Sequence, residues 1–128
     1  MSRETLPDLR LGPIGPDWVA RYAAASLDDN PIHTDPAAAT AVGLEGPVVQ
    51  GMLFMGQFEA VLASWRPDWR ILSLEAKFLR PVPVGDGAHV TARLLREEED
   101  GRKVAVRLTV RTQAGGIACI GDARLEAP

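Results

Sequence analysis

The sequence has 128 residues and a mass of 13.8 kDa, the size of one domain, and is too short for a Rossmann enzyme with a separate substrate domain or a full (β/α)₈ barrel. Hydrophobic residues make up 46% and charged residues 24%, a globular balance, and the net charge of −3 argues against a nucleic-acid partner. One cysteine and two histidines exclude an internal disulfide and a Cys/His zinc site.

Neither a membrane anchor nor a leader is predicted. Charged or polar residues interrupt every apolar stretch, so no segment is long enough to span a bilayer. The segment Met1–Arg10 contains two acids and no apolar core, which is not the pattern of a secretory signal. We therefore expect a cytoplasmic protein with no membrane partner.

The first half of the chain predicts three helices. Gly15-Pro16-Asp17 suits the start of a helix that runs to about Ala25. Asp35 and Pro36 suit the N-cap and first position of a short second helix. The longest helix is predicted over Gln50–Trp65, where apolar residues occupy almost the whole circumference and indicate a buried helix.

After Pro67 the hydrophobic period changes from that of a helix to that of a strand. The sequence motifs Asp100-Gly101 and Gly115-Gly116 fit hairpin turns, which indicate an antiparallel sheet. Its apolar face needs a cover, which the long helix provides. We therefore predict one α+β domain over residues 1–128, an antiparallel sheet curled around one helix. Four strands with one apolar and one polar face are predicted around Leu72–Phe78, Val90–Leu94, Val104–Val110 and Ile117–Asp122.

The densest polar cluster lies between the first two predicted helices. Because the residue before a proline is displaced from the α region, Asn30-Pro31 cannot continue a helix. Asp28 and His33 therefore lie on an irregular turn, where their side chains can converge on one water as an acid–base couple. The alternative is ordinary cap and turn chemistry, with His33 bonded to a backbone carbonyl.

The pattern Asp28-x-Asn30-Pro31-x-His33-x-Asp35 resembles the signature of the MaoC-like, (R)-specific enoyl-thioester hydratases. Residues 46–52 resemble the segment that begins this family's central helix, and residues 78–86 resemble its later strand-to-turn motif. The resemblance covers about residues 15 to 125 and implies a hot-dog fold, an antiparallel sheet wrapped around a long central helix.

The resemblance implies a hydratase or dehydratase that adds water reversibly to a trans-2-enoyl thioester to give a (3R)-3-hydroxyacyl thioester. By position, Asp28 and His33 activate the water, the Gly51 N–H faces the thioester carbonyl, and Asn30 orients its neighbours within the turn. The resemblance implies neither a metal nor a redox cofactor. Many members have His where this chain has Gln50, which bears on the helix start and on substrate choice.

The acyl chain and its carrier complete the expected site. Because the acyl chain needs an apolar wall near Gly51, we expect Val49, Leu53 and Phe54 to bind substrate beside Gln50, with plain core packing as the alternative. Coenzyme A is favoured over acyl carrier protein as the carrier. The sheet edges must be covered, so we expect a homodimer whose sheets join edge to edge.

Two other functions stay open on the sequence. Glu59 is the one charged residue within the apolar central helix, and hot-dog thioesterases often place a carboxylate there. An acyl thioesterase that uses Glu59 as its base is therefore the first alternative. The second is a non-catalytic partner subunit of an active hydratase.

Overall fold

The computed structural model describes residues 5–128. Residues 1–4, part of the segment predicted not to be a secretory signal, lie outside the described residues. Within residues 5–128, no helix is long and apolar enough to cross a membrane. The elements are β1 (Leu9–Leu11), α1 (Pro16–Ser26), a 3₁₀ turn (Pro31–His33), α2 (Pro36–Ala41), α3 (Gly51–Trp65), β2 (Arg70–Phe78), β3 (Ala88–Glu98), β4 (Lys103–Thr112) and β5 (Ile117–Glu126).

The strands form one antiparallel sheet in the order β1-β3-β4-β5-β2. Both predicted hairpin turns are present, and each uses a glycine at positive φ, 85° at Gly101 and 97° at Gly115. The predicted helix starts are also confirmed. The Asp35 carboxylate accepts the Ala37 N–H at 3.0 Å, which caps α2 with Pro36 in its first turn.

Two details of the sheet differ from the prediction. Strand β1 was not predicted, because a three-residue strand is too short to show a period of two; Leu9 pairs with Val90 of β3. In β2 the register with β5 shifts between Ile71 and Ser73. The alternation placed Leu72 and Phe78 on the apolar face, which was wrong, because Leu72 lies at that irregularity and is exposed and Phe78 is half-exposed at the end of the strand.

Helix α3 packs one face into the curve of the sheet. Phe58 is fully buried, and a Cβ added to Gly121 of β5 would lie 2.6 Å from its ring atom Cε2. Glycine at position 121 therefore lets the ring rest directly on the strand. The buried face of α3 comprises Leu53, Phe54, Phe58, Val61 and Leu62.

The opposite face of α3 is open, so the expected burial around the whole helix was wrong. Met52 is 57% exposed, and Gly56, Glu59 and Ala60 are exposed as well. The physical reason is that a single curved sheet covers only one side of a helix. Met52, which broadens the apolar stripe of α3, therefore remains at the surface of the subunit, whereas Leu53 is buried.

Candidate active site

His33 is held through its ring nitrogen Nδ1, which lies 2.7 Å from the carbonyl oxygen of Val48. Because a carbonyl oxygen only accepts hydrogen bonds, Nδ1 carries the proton donated there. In the neutral ring, Nε2 then keeps a lone pair, and it lies 3.4 Å from Oδ2 of Asp28. The two side chains that the sequence places on one turn therefore meet, with the His33 tautomer set by the backbone.

Asp28 is placed by the end of α1. Leu27 adopts a left-handed conformation with φ of 61° and ends that helix. The Asp28 N–H then donates to Ser26 Oγ at 3.3 Å, and Asp28 Oδ1 accepts the Asn30 N–H at 3.2 Å. These bonds hold the carboxylate so that Oδ2 faces His33.

Asn30 builds the turn between the acid and the imidazole. Its Oδ1 accepts the Ile32 N–H at 3.2 Å and caps the 3₁₀ turn Pro31–His33. This bond fixes the shape of the turn, and the role of Asn30 in orienting its neighbours stays a prediction.

Asp28 lines a cavity of about 390 Å³. The cavity lies between the first turn of α3 and the ends of β2 and β5. Four of the residues predicted for the site line it, namely Asp28, Val49, Gly51 and Phe54. Its other walls are Met52, Phe78, Leu79, Arg80, Pro81, Val82, Ala118 and Cys119.

The other four predicted site residues do not line this cavity, namely His33, Asn30, Leu53 and Gln50. Leu53 is fully buried in the core cluster. The Gln50 side chain is also buried, and its Nε2 donates to the carbonyl oxygen of Val19 in α1 at 3.0 Å. Both residues therefore contact other parts of the protein instead of the cavity.

Gly51 begins α3 and lines the cavity. The first N–H groups of a helix have no partner within it and lie at the positive end of the helix dipole, so they can bind a developing negative charge. A Cβ added at Gly51 would lie 2.8 Å from Cε1 of Phe78. Glycine here therefore lets the half-exposed Phe78 ring pack over the start of the helix.

Sequence reasoning did not assign the walls contributed by β2 and β5. Phe78 and Arg80 belong to the recognised strand-to-turn motif, which was the available signal, although it gave no direction for either side chain. Cys119 gave no signal beyond strand alternation. Burial raises the pKa of its thiol to about 11, so Cys119 is protonated at neutral pH and is no nucleophile.

The model of the MaoC like domain matches residues 3–115 of this chain. The chain belongs to the MaoC-like family. An (R)-specific enoyl-CoA hydratase of Aeromonas caviae is 37% identical over 114 residues, which cover 86% of this chain and 84% of the relative. A mitochondrial 3-hydroxyacyl-[acyl-carrier-protein] dehydratase of Arabidopsis thaliana is 29% identical over 93 residues, 73% of this chain and 56% of the relative.

Solved structures agree with the family assignment. The (R)-hydratase from A. caviae superposes with a TM-score of 0.87 at 33% identity, covering 100% of this chain and 99% of that one. This MaoC-like chain therefore has the hot-dog fold that its sequence resemblance implied. The α+β prediction of an antiparallel sheet around a long central helix is confirmed.

Glu59 lies apart from the Asp28–His33 pair. It is about two helical turns beyond Gly51 on α3, on the exposed face. There it lines a separate cavity with Arg66 and Trp69 at the far end of the helix. Glu59 and Asp28 thus line different cavities of the subunit.

Proposed function

We propose that the protein is a hydro-lyase that adds water reversibly to a trans-2-enoyl thioester and forms the (3R)-3-hydroxyacyl thioester. The observation that carries this proposal is the 3.4 Å approach of His33 Nε2 to Asp28 Oδ2 beside a cavity that Gly51 also lines. An acid–base pair at the edge of a cavity and unpaired helix N–H groups in its wall suit addition to a conjugated thioester.

The proposed step uses one water and balances without a cofactor. Asp28 and His33 hold the water, whose oxygen bonds to C3 while its proton passes to the pair. The electron pair of the C2–C3 double bond moves towards the thioester oxygen, where the Gly51 N–H stabilises the developing charge. The pair then returns the proton to C2, which completes the addition of H and OH.

The reaction class is tested with crotonyl-CoA by following enoyl absorbance and free thiol together. Hydration removes the enoyl absorbance and releases no thiol, whereas the thioesterase alternative releases free coenzyme A. We expect the first result, because Glu59 and Asp28 line separate cavities. Release of thiol at the rate of substrate loss would contradict the proposal.

Arg80 is the residue proposed to bind a phosphate of the carrier. It is the one cation in the lining of the Asp28 cavity, and neither a hydrogen bond nor an ion pair engages its guanidinium within residues 5–128. Its Nη1 lies only 3.1 Å from where a Cβ would sit on Gly116, so the missing side chain there gives it room. A cation at this wall suits the phosphates of the carrier.

Arg80→Gln is expected to raise KM for crotonyl-CoA about tenfold with kcat nearly unchanged, since a contact made equally before and during the reaction affects binding alone. The matched control is the crotonyl thioester of N-acetylcysteamine, which lacks phosphates and should show equal KM with both proteins. An equal loss for both thioesters would show that Arg80 does not bind the phosphates.

Alanine substitutions at Phe54 and Leu53 distinguish a residue that contacts the substrate from one that only packs in the core. Leu53→Ala is expected to destabilise the fold by about 2–5 kcal/mol and to leave the chain-length preference unchanged, because Leu53 is buried away from the cavity. Phe54→Ala should raise kcat/KM for longer enoyl chains relative to crotonyl-CoA, with about 0.8 kcal/mol for each methylene accommodated. A flat profile for Phe54→Ala would remove it from the acyl site.

A homodimer is proposed on the exposed edge of the sheet. Strand β2 pairs only with β5 among the described strands, and its outer edge is nine residues long. Leu72 and Phe78 are exposed along it and Leu79 is exposed directly after it, whereas the opposite edge strand β1 has only three residues. An unpaired apolar edge favours pairing with a second copy.

Sedimentation at micromolar concentration should therefore give twice the mass of 13.8 kDa. Leu72→Lys, which places a charge on that edge, should shift the protein towards the monomer. A monomeric wild-type protein would contradict the proposed dimer but would not bear on the proposed reaction. The cytoplasmic location expected from the sequence stays a prediction.

A further inference from the structure

Gln50 is the one buried polar or charged residue of residues 5–128, with 1% of its surface exposed. It immediately precedes Gly51 as the N-cap residue of α3, yet its side chain makes no capping bond to that helix. Its Nε2 instead donates to the carbonyl oxygen of Val19, 3.0 Å away in α1. The amide of Gln50 therefore ties the start of α3 to another helix.

That other helix ends two residues before Asp28. The Asp28 N–H donates to Ser26 Oγ, and the Ser26 hydroxyl donates to the Tyr22 carbonyl oxygen within α1 at 2.7 Å. Helix α1 thus positions the carboxylate, and α3 positions the Gly51 N–H. The bond from Gln50 to Val19 joins these two supports.

The hydrogen bond from Gln50 to Val19 is not expected to add much to the stability of the fold. The Val19 carbonyl lies inside α1, where a regular helix already supplies the N–H of Ala23. Gln50 Oε1 is buried, with no hydrogen-bond donor among the described residues. A buried oxygen without a donor destabilises a fold, so an apolar side chain of equal length would fill the same space at lower free energy.

We propose that Gln50 is a positioning residue of the hydration site, which fixes α1 against the first turn of α3 and so sets the Asp28 carboxylate relative to the Gly51 N–H. The inference rests on the proposed hydratase function. Water delivery at C3 and charge stabilisation at the thioester oxygen act on one substrate at two points. A misplacement of about 1 Å between such points lowers turnover by up to about 100-fold.

Gln50→Met tests the proposal, because it keeps the length of the side chain and removes both polar atoms. We expect kcat for crotonyl-CoA to fall at least about tenfold, KM to change less than about twofold, and Tm to stay equal or rise. The matched control is Gln57→Met, the same exchange on the same helix at a residue outside the cavity lining, which should leave kcat unchanged.

The same exchange in the Asp28→Asn variant distinguishes a positioning role of Gln50 from a general loss of structure. If Gln50 acts through Asp28, then Gln50→Met should lower kcat less than about threefold in a protein that already carries Asp28→Asn. An equal fall in both backgrounds would overturn the proposal, as would a normal kcat or a raised KM with kcat unchanged. Gln50→Leu replaces Gln50→Met if the latter does not fold, and failure of both to fold would also overturn it. A wild-type protein without hydratase activity would refute the proposed function instead.

Discussion

Asp28→Asn and His33→Ala are each expected to lower kcat for hydration of crotonyl-CoA by about 10²–10⁴-fold, the range typical of general acid–base groups. The physical reason is the shared position of the two groups. Oδ2 of Asp28 and Nε2 of His33 lie 3.4 Å apart, so one water can contact both. The steady-state rate of absorbance loss measures the effect, and circular dichroism verifies that the fold is intact.

Two matched controls belong to this experiment. Asp29→Asn makes the same chemical change at the neighbouring exposed carboxylate, and His89→Ala removes the second histidine, which pairs with Asp8 at 2.6 Å. Both should leave kcat nearly unchanged. The Asp28→Asn/His33→Ala double variant should be about as slow as the slower single variant, because both groups act on one water. A defect equal to the product of the single defects would argue against a shared water.

Gly51→Ala is expected to lower kcat by about 10²–10³-fold, the effect of losing one donor to a developing oxyanion. The added methyl group would stand at the backbone N–H where the thioester oxygen must approach. It would also lie 2.8 Å from Cε1 of Phe78, so the ring must move and the free energy of unfolding should fall. Turnover and thermal unfolding of the purified variant measure these two effects.

The double variant Gly51→Ala/Phe78→Ala separates the two roles of the glycine, with Phe78→Ala alone as its control. Removing the ring relieves the steric conflict, so the double variant should unfold at the same temperature as Phe78→Ala. Its kcat should remain far below that of Phe78→Ala, because the methyl group still obstructs the N–H. Equal turnover of those two variants would mean that Gly51 is required only for packing against Phe78.

The sequence predicted the fold where the hydrophobic period was long. Three helices and four strands appear near their expected positions, because each repeats its pattern over several residues or carries a clear cap such as Asp35. The failures have local causes. Strand β1 is too short to show a period, and Leu72 lies where the register of β2 shifts. The pattern of α3 could not show that a single sheet covers only one helix face.

The approach of Asp28 to His33 was predictable because the two residues are close in sequence. The proline after Asn30 forces a turn, and the turn brings Asp28 and His33 together. The cavity walls were harder, since they depend on contacts between distant elements. Proximity to Gly51 pointed to Val49 and Phe54, which line the cavity, but equally to Leu53 and Gln50, whose side chains are buried elsewhere.

The most direct measurement of the central claim is the identity of the product formed from crotonyl-CoA by the wild-type protein and by Asp28→Asn. Chiral separation of the product, together with a free-thiol assay, distinguishes the possible outcomes. We predict (3R)-3-hydroxybutyryl-CoA without free coenzyme A from the wild type, and a turnover lowered at least about 100-fold in the variant. Formation of the (3S) product, release of free coenzyme A, or equal turnover of the two proteins would contradict the assignment of Asp28 and His33 to the hydration of an enoyl thioester.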